Sequence, residues 1–264
     1  MIDATELTLL RNALDKLAEG YSDLPEFSTE FDAGAVGDVL QDVATRMHDN
    51  YPYYHPLYAG QMLKPPHPIA RIAYAMSLWV NPNNHALDGG RASSAMEKEC
   101  VIELGRMFGW DGPLGHLTGG GTMANLEALW VAGRLHPGKR ILASEQSHYT
   151  HSRISDVLGL PFSPVAVTSD GRMDVDALEV LLRDGDIGTV VATIGNTGLG
   201  AVDPLPALIA LQSEYGFRIH ADAAYGGYFG LAGQLHDDTR AVYDSLAAVD
   251  SIVIDPHKHG LQPY

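Results

Sequence analysis

The sequence predicts an α/β fold built on a mostly parallel sheet with helices on both faces. Three observations predict it. From Leu114 onward, apolar β-rich runs alternate with helical segments, the pattern of a βαβ series. The last run, Ser251-Ile252-Val253-Ile254, is short and β-branched, and Pro256 ends it because proline cannot continue a sheet ladder. At 264 residues and 45% apolar content, the chain is long enough to bury a full core.

In chain order, residues 2–20 read as an amphipathic helix. Leu7, Leu10, Leu14 and Leu17 recur at three- and four-residue steps, and Gly20 can end it. A second helical pattern covers 34–49. Such an arm suits packing on a partner subunit as well as on its own domain. Residues 51–68 are dense in Pro, Tyr and His, so they predict extended chain, and exposed aromatics there suit ligand contact at an active-site mouth. Helices are expected over 69–79 and 93–108, separated by the turn cluster Asn81-Pro82-Asn83-Asn84. The strands are placed at Arg140–Ser144, Val165–Val167, Thr189–Ile194, Arg218–Ala221 and Ser251–Ile254. The later helices fall near 122–134, 148–158, 174–183, 204–215 and 238–247. The expected division is a helical arm with its Pro/Tyr-rich segment, 1–68, and a large α/β domain, 69–264.

Charge narrows the function classes. Lys+Arg is 17 against 33 Asp+Glu, a formal charge of -16, which argues against nucleic acid or an anionic membrane as partner. It says nothing against small anions, which a few backbone amides can hold. Cys100 is the single cysteine, read as a buried residue in a reducing compartment. No basic start followed by an apolar run marks a signal peptide, and no apolar stretch is long enough to span a bilayer. A cytoplasmic protein is expected.

Ligands of open parallel sheets bind beyond the carboxyl ends of the strands, and four constellations fall there. Thr118-Gly119-Gly120-Gly121-Thr122-Met123-Ala124-Asn125 opens a helix whose free N–H groups and positive dipole end suit a phosphate. It lacks the Lys-Ser/Thr of a Walker loop, but it matches G-x-G-x-x-A, which leaves a dinucleotide reading open. His148 and His151 follow a strand. They share a helical face, yet no further ligand stands at a zinc-site spacing, so no metal is assigned. Asp222 closes an apolar strand, and the small residues after it leave room for a flat ring. Lys258 follows the last strand directly, where desolvation and nearby charge can turn it into a nucleophilic amine for Schiff-base chemistry. One ligand needs all four: pyridoxal 5'-phosphate, with a glycine loop for its phosphate, a histidine over its ring, a carboxylate for its pyridine nitrogen and a lysine for its aldehyde.

At these residues the chain resembles the pyridoxal-phosphate-dependent group II amino acid decarboxylases, which include the glutamate, aromatic amino acid and tyrosine decarboxylases. The likeness runs from about residue 55 to the end through Thr118–Asn125, His148, Asn196-Thr197-Gly198, His220–Ala224 and Asp255–Lys258. The resemblance implies a fold-type I transferase-like architecture and a homodimer. It implies that Gly121 and Thr122 hold the phosphate, that His148 stacks on the ring and that Thr197 lies near the cofactor. It further implies that Asp222 pairs with the ring nitrogen, Ala224 packs against the ring, and Asp255 and His257 accompany Lys258, the attachment point. Lys258, His148 and Asp222 are thereby the candidate catalytic residues. Members of that family continue for roughly another domain, with residues that help bind substrate, so the resemblance also implies a C-terminal small domain that this chain lacks.

The activity so implied is decarboxylation of an L-amino acid to its amine and CO2. The motif Asp255-Pro256-His257-Lys258 is similar to the tyrosine and aspartate branch, and the aromatic stretch at 51–58 leans toward a tyrosine-like substrate. An acidic substrate would want an arginine, and Arg71 or Arg91 could supply one. A related lyase or aminotransferase, and an inactive fragment with an assembly role, are the other expectations compatible with these residues.

Overall fold

The computed structural model describes residues 3–25 and 27–264, and the chain divides into two compact units, Met1–Asn81 with Leu261–Tyr264, and Pro82–Gly260. In the first unit, α1 (Ala4–Glu19) begins at Asp3, whose carboxylate accepts the N–H of Thr5. Helix α2 (Ala33–Arg46) begins in the same way at Asp32. Helix α3 (Pro68–Val80) has its proline at the first helical position and stops at Asn81, which adopts the left-handed conformation. Arg71 of α3 grips both carboxylate oxygens of Glu6 of α1, at 2.7 and 2.9 Å. Residues 51–67 form turns and extended chain, within which the rings of Tyr51 and Tyr53 gather on that of Tyr58.

The second unit carries α4 (Arg91–Met107), α5 (Gly121–Leu135), β1 (Arg140–Ser144), α6 (Thr150–Leu158), β2 (Phe162–Val165) and α7 (Val175–Leu182). It continues with β3 (Ile187–Thr193), α8 (Leu205–Tyr215), β4 (Arg218–Asp222), α9 (Asp237–Asp244) and β5 (Ser251–Val253). All neighbouring strands run parallel, in the order β2-β1-β3-β4-β5. The expected α/β architecture is therefore the observed one.

Successive side chains of a strand point to opposite faces, and here each face has its own core. Leu142, Val190, Ala192, Ile219 and Ala221 pack under α7, α8 and α9 with Leu178, Leu205, Leu208 and Val242. Ile141, Ala143 and Val191 pack on the other side under α5 and α6 with Leu129, Ala132 and Ile154. Strand β3, at the centre, is buried along its whole length. That double cover is the arrangement a parallel sheet requires.

Three expectations needed correction. The strand placed at Val165–Val167 is β2 at Phe162–Val165, with Pro164 inside it. Proline is tolerated because β2 is an edge strand, where an absent N–H costs no ladder bond. Val167 pairs instead with Met173 in a single antiparallel bridge. Helix α6 starts at Thr150, leaving His148 in the preceding turn. Cys100, expected to be buried, is exposed on α4, whose buried positions are Ser94 and Gly105.

Candidate cofactor site

Because every strand runs the same way, the carboxyl ends of the strands share one edge, and the expected residues collect along it. His148 lies four residues past β1, Thr197 four past β3, and Asp222 is the last residue of β4. Lys258 lies five past β5, and the glycine loop opens α5. Asp222 is paired in register with Thr193 on one side and Val253 on the other, which fixes its place between the loops that follow β3 and β5.

Asp222 is 5% exposed, yet its surroundings favour the ionised form. Burial alone would push its carboxyl up. The hydrogen bond from His151 and the N–H of Ala224 oppose that effect, and the carboxyl is held well below the usual carboxylate range. His151 Nε2 lies 2.8 Å from Oδ2, and Ala224 N donates to Oδ1 at 3.1 Å. Asn125 Nδ2 approaches Oδ2 at 3.5 Å. His148 is half-buried, with Nδ1 2.8 Å from the Thr150 hydroxyl and its ring 4.4 Å from that of Tyr149. Burial lowers its pKa below the ordinary histidine value, and the charges of Asp222, Lys258, His151 and Asp255 all reach it.

Lys258 is partly buried, and its Nζ sits 2.8 Å from Asp255 Oδ2. The more distant His257 Nε2 lies 3.8 Å from the same oxygen. Asp255 also faces the glycine loop: a Cβ built on Gly121 would lie 2.7 Å from both of its carboxylate oxygens. The loop itself is open. Gly120 takes φ 128, a conformation that favours glycine, and a Cβ on Gly119 or Gly120 would meet nothing within 4 Å. Among the described residues no side chain caps α5, so its first N–H groups are left to a ligand or to water. Thr122 and Thr197 are exposed, and Ala224 is half-buried beside Asp222.

These groups fit pyridoxal phosphate on their own chemistry. A buried, ionised carboxylate seeks a cationic partner, an uncapped helix start with glycines free of obstruction suits a phosphate, and a half-buried lysine amine stands on the same edge. A dinucleotide fits less well, because extended chain rather than a strand precedes the glycine loop, and the fingerprint needs strand, turn and helix in succession. Among the described residues, no group of three or more His, Cys, Asp or Glu is placed to hold a metal ion. No helix among them is long and apolar enough to cross a membrane.

Sequence reasoning left three of these neighbours without a role. The sequence pattern offers His151 only as a partner for His148 in a metal pair. In the structure it turns into the core as the second residue of α6 and meets Asp222 instead. Asn125 and His220 had been noted only as part of longer motifs. His220 Nε2 lies 2.8 Å from Asn125 Oδ1, and its Nδ1 lies 2.9 Å from the Ser251 hydroxyl. The available signal was polarity at positions where a helix or strand turns inward.

The chain is similar in sequence and fold to known proteins. The chain is 35% identical over 206 residues to a probable L-aspartate decarboxylase of Halobacterium salinarum, covering 77% of this chain and 56% of that protein. It is 30% identical over 240 residues to a probable L-tyrosine/L-aspartate decarboxylase of Methanosphaera stadtmanae, covering 88% of this chain and 61% of that protein. The chain thus spans little more than half the length of these relatives. Among solved structures, mouse CSAD in its apo form superposes with a TM-score of 0.77 at 25% identity, covering 100% of this chain and 56% of that one. Residues 126–264, just over half of the sequence, match the pyridoxal-dependent decarboxylase conserved domain. The chain belongs to the pyridoxal-dependent decarboxylase family, and pyridoxal 5'-phosphate is the cofactor that membership brings.

Proposed function

We propose that this chain carries the cofactor half of an L-amino acid decarboxylase, releasing CO2 and the corresponding amine. The observation that supports it most directly is the convergence of Lys258, Asp222, His148 and the Gly120–Gly121 loop on one edge of a parallel sheet. Pyridoxal phosphate, when bound, supplies an electron sink for the pair left on Cα as the carboxylate departs. The chain's residues do the rest. The α5 N-terminus, with Gly121 and Thr122, receives the phosphate. Lys258, ion-paired with Asp255, would provide the amine that tethers the cofactor once its ammonium proton is lost. His148 covers one ring face. Ala224, small enough to let a ring approach, packs beside it. Asp222 holds a proton on the pyridine nitrogen. Thr197 and His257 border the same space.

Two substrates follow from the relatives' names, which carry aspartate in both cases and tyrosine in one. Aspartate is the first reading. Its side-chain carboxylate would need a cation, and Arg71 is already committed to Glu6. Arg91 remains a candidate. The second reading is tyrosine, the other substrate in the second relative's name. A homodimer and a cytoplasmic setting complete the proposal.

The test is a panel of aspartate, tyrosine and glutamate assayed for CO2 release, with borohydride trapping in parallel. A pyridoxyl group fixed at Lys258, absent from Lys258→Ala, is expected. A pyridoxyl group fixed on another residue refutes the assignment. A keto acid or aldehyde in place of CO2 moves the protein to transamination or retro-aldol chemistry.

A further inference from the structure

We propose that His151 is a positioning residue for Asp222, fixing the direction of its carboxylate and keeping it ionised. The inference rests on the reading above for its functional meaning. Its physical content rests on the geometry of His151 and Asp222.

His151 is 0% exposed and Asp222 5%, so neither can be served by solvent. An unpartnered carboxylate in such a place costs several kcal/mol and would take up a proton instead. His151 Nε2 is the closest side-chain donor, at 2.8 Å from Oδ2, and with an ionised carboxylate opposite, this nitrogen must carry the hydrogen. Oδ1 is held by the backbone N–H of Ala224. With one hydrogen bond to each oxygen, the carboxylate plane cannot turn, and the remaining lone pairs point in set directions.

A second line of donors reaches Asp222 from β5. The Ser251 hydroxyl donates to His220 Nδ1, His220 Nε2–H donates to Asn125 Oδ1, and Asn125 Nδ2 points at Asp222 Oδ2. This order requires a neutral His220, and burial lowers its pKa to about 4. The long last step of 3.5 Å leaves His151 as the principal support. Among the described residues, the buried Nδ1 of His151 has no hydrogen-bond partner, so the side-chain hydrogen bonding of this ring is directed at Asp222.

Burying two polar rings beside a carboxylate contributes little net stability compared with apolar residues of the same volume. What it contributes is a charge of known sign and direction at the end of β4. A pyridine nitrogen can keep its proton only if the group opposite stays ionised, so the role of His151 toward the cofactor passes through Asp222.

The experiment uses wild type, His151→Leu and His151→Gln in the full chain. Carboxyl carbon NMR follows Asp222 in the cofactor-free protein. In His151→Leu its titration should rise by about one pH unit or more, and, because the carboxylate has lost the hydrogen bond that aims it, pyridoxal phosphate should bind about tenfold more weakly. His151→Gln, which retains a donor, should recover most of both, and the visible absorbance of the loaded protein should shift in the leucine variant only. An Asp222 that titrates alike in wild type and His151→Leu overturns the inference. Wild-type imidazole nitrogen shifts give a second test that needs no variant to fold. A proton on Nε2 of His151 supports the inference, and a bare Nε2 overturns it. If wild type fails to take up pyridoxal phosphate at all, the cofactor reading falls, while the carboxyl titration still decides the part played by His151.

Discussion

A methyl group placed on Gly121 would press on both carboxylate oxygens of Asp255, the ion-pair partner of Lys258. Asp255 is 4% exposed, so its side chain has little room to retreat. Gly121→Ala is therefore expected to displace Asp255, disturb Lys258 and weaken pyridoxal phosphate binding by about tenfold, equivalent to ~1.4 kcal/mol. Equilibrium dialysis of the variant checks this, and unchanged affinity would show that Asp255 can move aside freely. The residues that meet the cofactor in this reading were legible because each is an odd type for its position: a lysine after an apolar run, an acid closing a strand, glycines opening a helix. The residues behind them were not. His151 lies three residues after His148, and nothing in a linear reading says which of the two faces the core. That is decided by where α6 begins, at Thr150, two residues later than the pattern suggested. Arg71 shows the converse, a plausible substrate anchor whose partner, Glu6, lies 65 positions away.

At the level of elements, the turn after β4 sets how closely the loops at the sheet edge can pack. Gly226 lies against the backbone of Ile194, where a Cβ would come within 2.0 Å of the carbonyl oxygen. Its own carbonyl accepts the hydroxyl of Tyr243 from α9 at 2.8 Å. Backbone cannot swing aside as a side-chain tip can. Gly226→Ala is expected to cost about 3 kcal/mol of stability or more, read by urea denaturation, whereas Gly138→Ala, in open space, should cost only its left-handed backbone strain of about 1 kcal/mol. Equal losses would mean that the contact with Ile194 is not rigid. The strands were readable wherever they are apolar on both faces, as in β1 and β3. The edge strand β2 was misplaced because Ser163 and Pro164 break its apolar run, and an edge tolerates what a centre cannot.

Across the whole molecule, two buried groups act on acid stability in opposite senses. His220 has its pKa lowered by burial to about 4. The unfolded chain takes up that proton near the ordinary histidine value and the native state does not, so this group withdraws stability as pH falls from about 6.5 toward 4. Asp203 has its pKa raised by burial to about 6, despite accepting the N–H groups of Thr193 and Met173. Here the native state holds the proton more tightly, so lowering the pH from about 6 to 4 adds stability. Over that window each amounts to roughly 2–3 kcal/mol, and the two nearly cancel. Asp203→Asn should therefore make stability fall more steeply on acidification than in wild type, and His220→Gln should make it fall less or even rise. Denaturation midpoints at pH 4.5, 5.25 and 6 measure the slopes, and parallel slopes in all three proteins would contradict the assignment. The charge of -16 pointed away from polyanions, but it carried no trace of this internal balance, which depends on burial alone.

Asp203 has one more effect. Together with the bridge between Ile194 and Val202, it closes residues 194–202 into a ring pinned at its base. Inside that ring Asn196 ties its backbone to Ala201 and its amide to Gly171, while Thr197, Gly198 and Leu199 project outward. A protease cutting at Leu199 should sever the chain yet leave both fragments clasped, still folded and still migrating as one species on a sizing column. The tip can be cut, lengthened or rewritten, and the central strand beneath it will keep its register.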